Sequence, residues 1–116
     1  MNEYHIHFDD QKISVDEEGY LLFTDDWSPE LGSQIAEDIG IDMSDEHWEV
    51  VNYIRSQFET NCSVPELRFF LKYLRNNYGK EKATRRYVYD LFPYGYGQQA
   101  CKIAGMRKPR KLMLDV

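Results

Sequence analysis

The chain of 116 residues predicts an α+β fold that is mainly helical. A small N-terminal antiparallel sheet is followed by about five helices and a C-terminal arm. Three observations carry this expectation. Residues 4–23 alternate apolar and polar with period two. From Ser28 onward, apolar residues recur every three or four positions between capping residues and Pro or Gly stops. Beyond Gly105 neither pattern continues. The length suits one domain, 1–116, with a globular body over 1–105 and an arm over 106–116.

The first strand is read from Tyr4, Ile6 and Phe8 alternating with His5 and His7. Asp9-Asp10 makes a turn, and Lys12-Ile13-Ser14-Val15 alternates again, so the two form a hairpin. Asp16-Glu17-Glu18-Gly19 is a second turn, and Tyr20-Leu21-Leu22-Phe23 a third short strand. His5 and His7 share a face, but no third ligand stands nearby, and no metal site is expected.

Ser28 caps the first helix, Pro29 suits its first position, and Gly40 follows its end. Its stripe is Leu31, Ile35, Ala36 and Ile39. A second helix begins near Ser44, with Asp45 and Glu46 favoured by the positive end of the helix dipole. Trp48, Val51, Ile54 and Phe58 set its core face, and Trp27 and Trp48 are read as packing residues. Pro65 opens a third helix over 65–77, buried through Leu67, Phe70, Leu71 and Leu74. A fourth runs from about Thr84 to Leu91, with Tyr87, Val88 and Leu91 inward. After the breaks at Pro93 and Gly95, Gly97 to Ala104 forms the last helix.

Charge divides the chain. Residues 1–50 hold fifteen Asp/Glu and one cation, Lys12, whereas residues 51–116 hold five acids and thirteen Lys/Arg. Either the halves attract one another within the fold, or the basic half meets an anionic partner. The helices 65–77 and 84–92 have the length of a helix-turn-helix and carry Arg68, Lys72, Arg75, Lys80, Lys82, Arg85 and Arg86. Such a face could hold phosphates; it could equally be the solvated side of an ordinary helical hairpin.

No apolar run approaches the ~20 residues a membrane span needs. No secretory signal is evident, and two cysteines are too few for a disulfide scaffold, so a reducing cytoplasm is expected. Phosphate loops, dinucleotide turns and paired metal cysteines are missing, and no cofactor is expected. That leaves thiol chemistry. Cys101 is followed by Lys102 and by Arg107, Lys108, Arg110 and Lys111, and positive charge favours thiolate. Its place late in a helix works the other way. Cys101 is therefore either a reactive group or a small buried hydrophobe. Cys62, in a loop without close cations, is read as inert.

Four stretches are more specific. They are Asp16-Glu17-Glu18-Gly19-Tyr20-Leu21, Asp45-Glu46-His47-Trp48-Glu49-Val50-Val51, Tyr87-Val88-Tyr89-Asp90-Leu91-Phe92-Pro93, and Ala100-Cys101-Lys102-Ile103-Ala104-Gly105 followed by Lys108-Pro109. In this order they resemble the DsrC/TusE family, the gamma-subunit-like partners of dissimilatory sulfite reductase and the sulfur-relay proteins of tRNA thiolation. The resemblance implies a compact, mainly helical body and a flexible arm whose penultimate cysteine carries sulfur as a persulfide. Some members add an upstream cysteine, which Cys101 matches. Counted from the shared landmarks, the arm cysteine falls on Leu112, and the penultimate residue here is Asp115. Met106-Arg107 and Gly95-Tyr96 depart from the family's Leu-Pro and Gly-Pro. The implied partners are sulfur-transfer or sulfite-reductase-type proteins, or tRNA-thiolation machinery. Three readings follow: an accessory or regulatory member that docks through its arm, a persulfide carrier (a sulfurtransferase) using Cys101, or a DNA- or RNA-binding regulator using the basic hairpin. The residues singled out are Cys101 for chemistry, and Arg68, Lys72, Arg75, Arg85, Arg86, Lys102, Arg107, Lys108, Arg110 and Lys111 for binding.

Overall fold

The computed structural model describes residues 4–109. Strands β1 (Tyr4–Phe8) and β2 (Gln11–Val15) pair antiparallel, with Tyr4 opposite Val15 and Phe8 opposite Gln11. Asp9 and Asp10 turn the hairpin at φ 49° and 63°, the two left-handed residues that match a two-residue loop to strand twist. Ile13 and Val15 are buried on one face.

The expected third strand is reduced to a single bridge, Leu21 against Val15. Asp16 folds the chain back by accepting from the N–H groups of Glu18 (2.9 Å) and Tyr20 (3.0 Å) through Oδ1. Thr24–Asp26 then forms a 3-10 turn, so the strand ends after one rung and Phe23 stands 61% exposed.

Helix α1 (Pro29–Asp38) starts where expected, with Ser28 Oγ accepting from the Leu31 N–H. Helix α2 (Asp45–Asn61) is capped reciprocally by Ser44 and His47. Ser44 N–H donates to His47 Nδ1 at 3.1 Å, so Nε2 carries the ring proton and donates to the Leu91 carbonyl at 2.9 Å. That bond ties the start of α2 to the chain at Leu91. On α2 the fully buried residues are Val50, Val51 and Ile54. Trp48 and Phe58, expected in the core, are half-buried at its edge.

Helix α3 (Leu67–Tyr78) begins two residues later than expected. Pro65 is engaged elsewhere, its carbonyl accepting from Tyr96 Oη at 2.6 Å. Helix α4 (Arg85–Leu91) is capped by Thr84 and buries Val88. The last helix opens as a π-helical turn, Tyr96–Ala100, in which the Cys101 N–H reaches the Tyr96 carbonyl, and closes as α5 (Cys101–Ile103). One apolar core joins α1, α2, α3 and the last turn, with Tyr96, Phe70 and Phe92 its largest fully buried side chains.

Candidate functional site at the C-terminal turn

The last turn is held from several sides. Ala100, Cys101, Ile103, Ala104 and Met106 are all 0% exposed. Gly105 N–H bonds to the Lys102 carbonyl (3.0 Å) and Met106 N–H to the Cys101 carbonyl (3.1 Å), the paired closure of a Schellman motif around a left-handed residue. Gly105 sits at φ 75°, and a Cβ there would lie 2.4 Å from Trp27 Cδ1. Only glycine fits. Met106, expected as the first residue of the arm, belongs to the body, because its side chain is enclosed and its N–H closes the helix.

Two side chains then fasten this turn. Trp27 donates from Nε1 to the Ile103 carbonyl at 2.7 Å. Arg55 donates to the carbonyls of Thr24 and Ala104, each at 3.2 Å, and its guanidinium lies 4.4 Å from the Trp27 ring centroid. Burial lowers the Arg55 pKa, and the charges of Glu59 and Asp25 oppose the shift. These bonds satisfy carbonyls that the short helix leaves open.

The chain leaves the body beside a cleft of about 680 Å³, whose lining includes Glu18, Tyr20, Tyr94, Gln98, Lys102 and Lys108. Tyr20 Oη donates to the Gly97 carbonyl at 3.3 Å. Lys102 Nζ sits 4.8 Å from the Tyr20 ring centroid. Lys108 pairs with Glu18, and the hydrogen bond and charge of that carboxylate raise the pKa of the ammonium. Here the acidic N-terminal segment meets the basic C-terminal one, so at least part of the charge division is answered within the fold.

Placement sorts the residues singled out from the sequence. Cys101 is buried and Cys62 exposed, so of the two readings left open for Cys101 the structure favours the small buried hydrophobe. A thiolate must be reached to act as a nucleophile, and the Cys101 side chain meets no solvent here. Lys102 and Lys108 share the cleft, and Arg107 is exposed beside it. Arg68 pairs with Glu66 at 3.2 Å and lies over the Phe69 ring. Lys72, Arg75, Arg85 and Arg86 are exposed on α3 and α4. The hairpin they decorate ends in a helix of seven residues, and its geometry adds nothing specific to nucleic acid. Arg110 and Lys111, like Leu112 to Val116, lie outside the described residues. Sequence reasoning missed Arg55 as an anchor and read Trp27 only as packing. The signal was faint: one cation amid the apolar spacing of α2.

A family model described as DsrC like protein matches residues 7–113. The chain belongs to the DsrC-like family. It is 45% identical over 104 residues to the sulfurtransferase TusE of Salmonella typhi, covering 90% of this chain and 95% of that one. Identity to the TusE of Escherichia coli is 44% over the same length. Among solved structures it resembles DsrC of Allochromatium vinosum, with TM-score 0.83, 36% identity, and 95% and 98% of the two chains covered. The oxidised gamma-subunit of the dissimilatory sulfite reductase of Archaeoglobus fulgidus gives TM-score 0.79 at 30% identity, covering 86% of this chain and 91% of the other. The expected α+β fold is thus the DsrC fold, a two-stranded sheet followed by five helices. No helix of the described residues is long and apolar enough to cross a membrane.

Proposed function

We propose that this DsrC-like protein is an accessory or regulatory member of the sulfur-relay family, which docks on sulfur-transfer partners without carrying sulfur itself. The supporting observation is the placement of Cys101. Its thiol is 0% exposed, in a turn fastened by Trp27 and Arg55. Residues 110–116 contain no cysteine, and Leu112 falls where the family's arm cysteine is expected. A persulfide must be presented to a partner's active site, which a thiol enclosed in the core does not do. Partner contact then falls to the arm from Arg107 onward and to the cleft rim carrying Lys102 and Lys108. The partners this reading points to are sulfite-reductase-type or sulfurtransferase proteins, in the cytoplasm. Its tRNA-thiolation form is the one nearest the TusE relatives.

The test is intact-mass analysis of the native protein after incubation with a persulfide donor. The expected spectrum has no added sulfur at Cys101. An adduct kept in Cys62→Ser and lost in Cys101→Ser would replace this reading with sulfur carriage by Cys101. Partner capture from native lysate, comparing the full chain with one ending at Met106, then assigns the docking role. Equal capture by both would remove the arm from it.

A further inference from the structure

A second concave surface shares no residue with the C-terminal cleft. It lies along α2 and α3, has a volume of about 600 Å³, and is lined by Asp45, Trp48, Glu49, Tyr53, Ser56 and Tyr73, with Asn52 and Gln57 between them. Three aromatic rings and two carboxylates therefore face one groove. The ring centroids of Tyr53 and Tyr73 are 4.9 Å apart at 45°, and Phe70 buttresses both from the core at 5.1 and 5.9 Å. Glu49 is oriented by two phenols, accepting from Tyr73 Oη at 3.3 Å and from Tyr78 Oη at 2.5 Å. Among the described residues neither Asp45 nor Glu49 forms an ion pair; the pairs present are Arg55 with Glu59, Arg68 with Glu66, and Lys108 with Glu18.

We propose that this groove binds an arginine side chain of a partner protein, the guanidinium lying against Trp48, Tyr53 and Tyr73 and pairing with Glu49 and Asp45. Charge and shape select the occupant. Aromatic faces carry negative electrostatic potential and attract cations, tryptophan most of all. A guanidinium is planar, weakly hydrated and forked, so it stacks on rings and meets a carboxylate through two N–H groups, which an ammonium cannot do. The carboxylates repel nucleic acid and anionic peptides. Phenol donors hold Glu49 in place beforehand, so less side-chain ordering opposes binding. The groove stands on rigid helices and does not depend on what the arm does, so this inference is independent of the accessory role proposed above.

The chain's two tryptophans make the experiment selective, because Trp48 lines the groove and Trp27 sits at the Arg55 anchor. Titrate the 15N-labelled protein with an acetylated, amidated tetra-arginine peptide and follow both indole N–H resonances. The expected result is a saturable shift of Trp48 with Trp27 still, weakened by added salt and weaker with tetra-lysine. Glu49→Gln should loosen binding at least about fivefold. Ser56→Arg sets a tethered guanidinium at the rim and should abolish the shift, so the test survives even where Glu49→Gln disturbs the fold. The proposal is overturned if Trp48 stays still, if tetra-glutamate moves it equally, or if folded Glu49→Gln or Ser56→Arg binds as the parent does. A Trp48 shift that follows protein concentration alone, together with a dimer in sedimentation, would assign the groove to a second copy and overturn it as well.

Discussion

Two regions hang from the same helix, and they are built on opposite terms. At one side of α2, Arg55 and Trp27 direct their donors to backbone carbonyls of the last turn, where nearly every neighbour is buried. At another side Glu46 and Glu49 accept from the phenols of Tyr87, Tyr73 and Tyr78, side chain to side chain and close to solvent. Lys82 lies over the Tyr78 and Tyr87 rings at 5.5 and 5.9 Å. The first arrangement fixes backbone in a dry setting, where an unmade bond is costly. The second leaves its members able to exchange partners with water at small cost. The first therefore serves position, and the second is suited to recognition.

Substitutions at the buried anchor should be the most damaging. Gly105→Ala adds both a left-handed backbone penalty and a 2.4 Å contact with Trp27, and should cost roughly 3 kcal/mol in urea unfolding. A loss under about 1 kcal/mol would mean that Trp27 moves freely and the turn is not fastened. Arg55→Met leaves the Thr24 and Ala104 carbonyls without their donor, at about 2 kcal/mol. Trp27 fluorescence should report the loosening before global unfolding.

Thiol labelling sharpens the same contrast without altering the chain. Iodoacetamide should modify Cys62 promptly under native conditions and reach Cys101 only as denaturant opens the core, as peptide mass mapping would show. Similar rates at both would place Cys101 at the surface and revive it as a sulfur carrier.

The tyrosine cluster predicts smaller changes. The Glu49 hydrogen bond and charge push the Tyr78 pKa up to about 12. Burial, then the Glu46 hydrogen bond, raises that of Tyr87. A folded-state pKa raised above the ordinary 10 favours the protonated phenol in the native protein. The stabilisation is complete below pH 10 and is lost as pH climbs through the raised value. Absorbance at 295 nm should show Tyr78 and Tyr87 titrating late, alongside Tyr53 and Tyr73, which are also raised, chiefly by burial, and Glu49→Gln should bring Tyr78 down most. The smallest effect concerns nucleic acid. Changing Arg68, Lys72 and Arg75 together to Ala should leave stability within about 0.5 kcal/mol. Salt-dependent DNA binding lost in that variant would show that the basic face of α3, not the groove on α2, is the recognition surface.

Local signals were legible where a short stretch of chain decides the outcome. Ser28-Pro29, Ser44 and Thr84 each announced a helix start that the structure keeps, because a cap bonds within its own first turn. Asp9-Asp10 announced the hairpin in the same way. The third strand was overread, since alternation in Tyr20 to Phe23 says nothing of the 3-10 turn that follows. The four stretches resembling the DsrC/TusE family were readable in order, and the family match bears them out. The groove of Trp48, Tyr53, Tyr73 and Glu49 was not readable, because its walls come from helices some twenty residues apart. Nor was the burial of Cys101.

The sequence by itself determined the order of elements, the family and the absence of cysteine from residues 102–116. Each of these is written in neighbouring residues or in composition. Tertiary structure alone decided that Cys101 is enclosed, that Met106 belongs to the body, and that Arg55 crosses from α2 to close the last turn. Burial and hydrogen bonding between distant segments are properties of packing, and periodicity along one element records which face turns inward but not what it meets there.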